Sequence, residues 1–262
     1  MRGRVPASVR SRGGVYASAM PHPVDADPAV HPQGGSEGTP RVTTFALGGF
    51  QTNCHVVWVP DAPDPGARRK CWIVDCGEGP RPLLEFVRRE RLVPEAILFT
   101  HAHADHIAGV DEAIRVLGPD VPRLVHPAEA AAFQDPQFNL SAFVGQPISV
   151  AAPTGALEPG RPLTLAGTRW EVLHTPGHSP GGVTLHHPAS GLAIVGDTLF
   201  AGSIGRVDFP TSDPARMRDT LFRVLLRLPD ATRVLPGHGP ETTIGEEQLT
   251  NPYLRPEAWE EW

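Results

Sequence analysis

A chain of 262 residues with a net charge of −6 is long enough to bury a sizeable core, in one large domain or two small ones. Its acidic balance argues against a general nucleic-acid-binding surface, and no stretch approaches the roughly 20 apolar residues that span a bilayer. Cys54, Cys71 and Cys76 are too few, and odd in number, for a disulfide framework, so a reducing compartment, the cytoplasm, is expected. The basic N-terminus (Arg2, Arg4, Arg10, Arg12) has no apolar segment behind it and does not read as a secretory signal.

Residues 1–40 are rich in Pro, Gly, Ser and Ala and lack apolar periodicity. Such a stretch cannot bury enough apolar surface to offset its ordering entropy, and it reads as a disordered tail. The organised domain is expected over 41–262. Short strands are expected at Val42–Leu47, Cys54–Val59 and Cys71–Asp75, then a helix over Pro82–Arg91 and a strand over Ala96–Phe99. A helix over Ala108–Leu117 and a strand over Arg123–Val125 follow, with an irregular stretch to about Pro162. The second half reads as strands at Leu163–Leu165, Trp170–Leu173, Val183–His186 and Ala193–Val195. A helix over Ala215–Leu228, a strand over Arg233–Leu235 and a short helix over Gly245–Leu249 complete it. Two strand-rich halves with helices imply an α/β layer arrangement, helices outside a pair of packed sheets.

The most informative segment is His101-Ala102-His103-Ala104-Asp105-His106, at the exit of an apolar strand. Four potential ligands in six residues are costly to bury without a partner, and a metal ion is the natural one. His178 in Thr175-Pro176-Gly177-His178, Asp197 after Ile194-Val195-Gly196, and His238 in Pro236-Gly237-His238-Gly239 also follow strands, flanked by Gly or Pro that permit tight turns. The recurrence at strand exits speaks against packing as the explanation. His55, His126, His174, His186 and His187 stand alone and read as packing or surface residues.

With these motifs the chain, from about Arg41 onward, resembles the metallo-β-lactamase superfamily, and within it the short bacterial glyoxalase II branch. Gln51-Thr52-Asn53-Cys54, Gly196-Asp197-Thr198-Leu199-Phe200, Gly202 to Pro210 and Asn251-Pro252-Tyr253-Leu254 carry the narrower likeness. The resemblance implies an αββα four-layer sandwich and a binuclear centre. His101, His103 and His178 would hold one metal, Asp105, His106 and His238 the other, with Asp197 bridging both. Imidazole and carboxylate without thiolate suit zinc, the expected metal, with iron and manganese as alternatives. The implied reaction is hydrolysis of a small-molecule thioester, S-lactoylglutathione or a related hydroxyacyl thioester, by a metal-bridging hydroxide that Asp105 would orient. Arg206, Tyr253 and Arg255 are the candidate substrate contacts. The helical domain that grips glutathione in larger glyoxalase II enzymes has no recognisable counterpart in the 24 residues after His238.

Rival motifs fail on chemistry. Gly177-His178-Ser179-Pro180-Gly181 matches a serine nucleophile elbow, but that elbow needs the backbone N–H after the serine, and Pro180 has none. Asp197 sets the chain apart from true β-lactamases, which lack that aspartate. The alternative within the superfamily is a persulfide dioxygenase, which shares a Gly-Arg-x-Asp-Phe segment like Gly205–Phe209. It would use a single iron on His101, His178 and Asp197. Asp75 is expected to support the site or form its turn. The long stretch from Gln134 to Gly160 is expected to line or cover the site.

Overall fold

The computed structural model describes residues 38–60 and 68–259, so the tail expected over 1–40 lies almost wholly outside the described residues. Strands β1 (Arg41–Leu47), β2 (Thr52–Trp58), β3 (Lys70–Val74), β4 (Val93–Leu98), β5 (Arg123–Val125) and β6 (Gly155–Ala156) lie side by side in that order in one six-stranded sheet. The first three are antiparallel neighbours, and β3 to β6 run parallel. The second sheet runs β14 (Thr242–Thr243), β13 (Arg233–Pro236), β10 (Leu192–Gly196), β9 (Val183–His187), β8 (Thr168–His174) and β7 (Leu163–Leu165). There β10 and β13 are parallel. A hairpin of β11 (Leu199–Phe200) and β12 (Ser203–Ile204) stands apart.

Strand alternation sorts the apolar residues into three layers. Val57, Trp72, Val74, Ala96 and Leu98 of the first sheet meet Trp170, Val172, Leu185, Ile194 and Leu235 of the second in one buried cluster. The opposite face of the first sheet, with Val56, Ile73 and Ile97, is covered by Leu83, Leu84 and Val87 of helix α1 (Arg81–Arg89) and by Val110 and Ala113 of α3 (Val110–Leu117). The opposite face of the second sheet, with Ala193, Val195 and Val234, packs on Met217 and Leu221 of α4 (Pro214–Arg223) and Ile244 of α5 (Ile244–Thr250). The result is the αββα sandwich. Each fully buried Leu, Ile or Phe in these layers contributes roughly 1.5–3 kcal/mol.

The helices begin and end where local chemistry says they should. Asp213 caps α4 through a bond from the Arg216 N–H, and Thr243 caps α5 through the Glu246 N–H. Arg88 and Arg89 complement the α1 dipole in its last turn, and Gly118 ends α3 at φ 100°.

Two expected helices differ. The helix expected over Ala108–Leu117 is preceded by a separate turn, α2 (Ala104–Ile107), and begins only at Val110. Asp105 and His106 therefore lie on helical backbone rather than in a loop. The helix expected to Leu228 ends at Arg223, and a 3-10 turn (Leu225–Arg227) continues it. The stretch to Pro162 is not featureless: it holds two 3-10 turns (Pro127–Phe133, Ser141–Val144) and β6.

Candidate metal centre

Every candidate ligand sits just past the C-terminal end of a strand, and the two sheets bring those ends together. Beyond β4 the chain runs Phe99-Thr100-His101, and His103 is the residue before α2, which carries Asp105 and His106. His178 follows β8, Asp197 follows β10 and His238 follows β13. At Gly196 the backbone turns through φ 52°, against the Thr100 side chain where a Cβ would collide, and so delivers Asp197 inward. Gly237 matters for space instead: a side chain there would strike the Asp197 carboxylate and His106.

All seven residues converge. Ligand atoms of His101, His103 and His178 lie within 4.8 Å of one another, as do those of Asp105, His106 and His238. Asp197 faces both groups. Its Oδ1 is 3.3 Å from His106 Nε2, while its Oδ2 is 3.5 Å from His178 Nε2 and 3.4 Å from His238 Nε2. Asp105 Oδ2 lies 3.2 Å from His238 Nε2 and 3.5 Å from His106 Nε2.

Neighbouring groups fix which nitrogen each imidazole presents. His106 Nδ1–H donates to Asp75 Oδ2 at 2.9 Å, His178 Nδ1–H to the Arg206 carbonyl at 2.8 Å, and His238 Nδ1–H to the Phe50 carbonyl at 3.1 Å. All three Nε2 atoms are thereby turned to the centre. Asp75, buried and at φ 60°, also accepts the Thr100 N–H and hydroxyl, each at 2.8 Å. That hydroxyl stands 3.2 Å from His101 Nδ1, so one carboxylate orients His106 directly and His101 through Thr100. The supporting role expected of Asp75 is seen here.

The residues fit a cation. His106 Nε2, His178 Nε2 and Asp197 Oδ1 are buried and make no well-formed hydrogen bond, only ion-pair contacts of 3.3–3.5 Å within the set, although an unsatisfied buried polar atom costs about 1–3 kcal/mol. All three belong to the convergent set, where bound cations would satisfy them. Five imidazoles and two carboxylates form a nitrogen–oxygen donor set, and the three cysteines are free and buried elsewhere. Burial holds Cys54 and Cys76 well above the usual thiol range and pushes Cys71 up to about 12, so none is primed as a thiolate.

The two groups differ in charge. Burial lowers His101, and together with the neighbouring His178 lowers His103 to about 3, so both are neutral and ready to coordinate. Burial also works to lower His106 and His238, but there the carboxylates win. Asp105 and Asp197 raise His106 well above the usual range and His238 to about 10.

The expected substrate contacts are placed differently. Arg206 is exposed at the rim, bonded to both oxygens of Asp208 (2.9 and 2.8 Å) and stacked 4.4 Å over Phe209, whose ring stands against His103 and His178. Tyr253 and Arg255 make their bonds inside the C-terminal segment. The Tyr253 carbonyl accepts from Trp259, and the Arg255 guanidinium donates to the Leu249 carbonyl. None of His55, His126, His174, His186 and His187 joins a candidate metal group among the described residues. Ser179 has a buried hydroxyl with no hydrogen-bond partner and no histidine base bonded to it.

Glu129 escapes the sequence reading, which names Thr52 and Asn53 only within the segment Gln51–Cys54 and gives them no supporting role. Glu129, buried, accepts the Ala102 N–H at 3.1 Å and the Gly181 N–H at 2.7 Å, tying the loop of His101 and His103 to that of His178. Thr52 donates its hydroxyl to Asp105 Oδ2 at 2.7 Å. Asn53 donates to the Pro236 and Gly239 carbonyls on either side of His238. The signal for Glu129 is a lone charge in the alanine-rich run Pro127–Phe133, and for Thr52 and Asn53 it is the Gln51–Cys54 segment itself, a polar pair opening an apolar strand.

Comparison with known proteins agrees with this architecture. The family model for the Metallo-beta-lactamase superfamily matches residues 47–238. A probable metallo-hydrolase, YqgX, of Bacillus subtilis (strain 168) is 36% identical over 186 residues, covering 71% of this chain and 87% of that protein. The hydroxyacylglutathione hydrolase GloC of Haemophilus influenzae is 30% identical over 214 residues, covering 78% and 93%. Among solved structures, the BLEG-1 B3 metallo-beta-lactamase is 36% identical with a TM-score of 0.75, covering 82% of this chain and 99% of the other. TTHA1623, in a di-iron-bound form, is 38% identical with a TM-score of 0.68, covering 80% and 99%. With seven His and Asp side chains gathered at the strand ends of an αββα sandwich, the chain belongs to the metallo-β-lactamase superfamily of metallohydrolases.

Proposed function

We propose that this chain is a metal-dependent thioester hydrolase whose substrate is a small acyl thioester, S-lactoylglutathione or a related hydroxyacyl thioester. The observation that carries the reading is the convergence of two three-residue groups on a shared Asp197, with orphaned buried atoms in both. The likeness to a hydroxyacylglutathione hydrolase supports the thioester, and the likeness to a di-iron-bound structure supports two metal ions. In this reading His101, His103 and His178 hold one ion, Asp105, His106 and His238 the second, and Asp197 both. Two such ions, zinc by preference and iron or manganese otherwise, supply Lewis acidity and an ionised water at neutral pH.

The chain's own residues supply positioning. Asp75, the Arg206 carbonyl and the Phe50 carbonyl keep the Nδ1 protons of His106, His178 and His238, leaving Nε2 free. Asp105 is the more open of the two cluster carboxylates, its side chain 20% exposed against 10% for Asp197, and Thr52 anchors one of its oxygens. In this reading Asp105 orients water beside the substrate carbonyl. A thiol ionises near ~8.5, so the leaving sulfur departs as thiolate without a dedicated general acid.

A second reading, β-lactam hydrolysis, is favoured by one observation, the 36% likeness to a structure described as a B3 metallo-beta-lactamase. Asp197 weighs against it. One assay separates the readings: zinc-loaded protein against S-lactoylglutathione and against a chromogenic cephalosporin, with His103→Ala as control. Thioester turnover lost in the variant supports the proposal; β-lactam turnover alone replaces it.

A further inference from the structure

Aromatic rings stand against the ligand histidines of the metal centre, and the hydrolase reading alone gives them no task. The Phe209 ring stands 5.6 Å from His103 and 5.7 Å from His178, centroid to centroid, edge to face. Phe200 lies 6.0 Å from His238. Phe50, whose carbonyl holds His238, leaves its own side chain 61% exposed.

A second loop is tied by its backbone to the metal-binding run. The Asn139 carbonyl accepts the Ala104 N–H at 2.8 Å, between His103 and Asp105. Asn139 is fully buried, and its side chain bonds the Ala132 and Ile148 carbonyls and the Ser141 N–H, so the loop is firmly rooted. From that root the chain turns through left-handed backbone at Leu140 (φ 67°) and again at Gly145 (φ 79°). Between these turns sit Phe143 and Val144, 66% and 55% exposed.

The charge at this rim points the same way. Arg206 is neutralised by its two bonds to Asp208 and pressed on the face of Phe209, so it adds to an apolar surface more than to a cationic one. Exposed apolar groups on loops tied to a site are candidates for a binding surface, and ligand pockets pair such walls with a few polar groups at the reacting centre.

We infer that the site prefers thioesters of an apolar acyl group, aliphatic or aromatic, over those of a small hydroxyacyl group. The inference rests on the thioester-hydrolase reading and narrows it. Phe50, Phe143, Val144 and Phe209 form the acyl wall. Water gives its hydroxyl to the acyl carbon, the C–S bond breaks, and the released sulfur takes the remaining proton. A hydroxyl on the acyl carbon chain would be desolvated against phenyl rings without a partner on the wall, which costs binding.

The test is a series of glutathione thioesters, acetyl, butyryl, hexanoyl and lactoyl, on the full-length zinc-loaded chain. Expected is a rise in kcat/KM of roughly fourfold per methylene from acetyl to hexanoyl, carried mainly by KM, with lactoyl below butyryl. Phe143→Ser and Phe50→Ser change exposed residues, leave the fold intact, and should each flatten that slope. A flat series in the native chain, or a slope that neither variant changes, overturns the acyl wall while the hydrolase reading stands. Failure to cleave any of the four thioesters sinks both.

Discussion

The two halves of the candidate centre are built on opposite principles. His101, His103 and His178 are all buried and all imidazole, and burial keeps His101 and His103 neutral. Asp105, His106 and His238 include a carboxylate, are partly open, and hold protonated histidines in place by charge when no metal is bound. The first half is a preformed trio of nitrogen ligands, two of them already neutral. The second is an ion-pair network that a metal must replace. Asp197 links them, with one oxygen toward His106 and the other toward His178 and His238.

The harshest way to break this asymmetry is to remove a ligand from the buried half. His103→Ala should lower thioester turnover by at least about a thousandfold and lower bound metal with it, read by kinetics and elemental analysis of the same sample. A milder change acts through a supporting carboxylate. Asp75→Ala leaves His106 without its Nδ1 partner and Thr100 without its anchor. Metal affinity should fall roughly 10- to 100-fold, measured by competition with a chelating dye. An unchanged affinity would show that the imidazoles need no such orientation.

Acidity sharpens the comparison. His238, near 10 in the metal-free fold, is protonated at neutral pH and must lose that proton to coordinate. Its affinity for metal should therefore rise with pH, about tenfold per unit for each proton released, up to the region of pH 10. His101 and His103, the latter near 3, are already neutral and should add no such slope between pH 7 and 9. Calorimetry in buffers of different ionisation enthalpy counts the protons released at each step, and equal counts for the two steps would contradict the asymmetry. The smallest effect belongs to Glu129. Glu129→Gln places an amide where two backbone N–H groups need acceptors, and should cost about 1–3 kcal/mol in urea unfolding.

The difference between the halves also marks what a sequence discloses. The run from His101 to His106 is visible because its ligands are adjacent, and His178, Asp197 and His238 because each follows an apolar strand with Gly or Pro beside it. The strands over Val93–Leu98, Thr168–His174, Leu192–Gly196 and Arg233–Pro236 are legible for the same reason, since they are long enough to carry a pattern. Two-residue strands such as Leu199–Phe200 and Thr242–Thr243 carry none and exist only through their partners. The separate turn at Ala104–Ile107 was hidden because its residues read first as ligands. Glu129 was invisible because its two bonds join loops distant in the chain. Propensity and periodicity report local preference, while a buried carboxylate bridging two loops is a property of the assembled fold.

Metal content measured on protein purified without added metal, with S-lactoylglutathione hydrolysis assayed on the same sample, tests the central claim most directly. The account predicts about two metal ions per chain together with thioester turnover. One iron per chain, no hydrolysis, and oxygen uptake with glutathione persulfide would contradict it and make the chain a mononuclear dioxygenase.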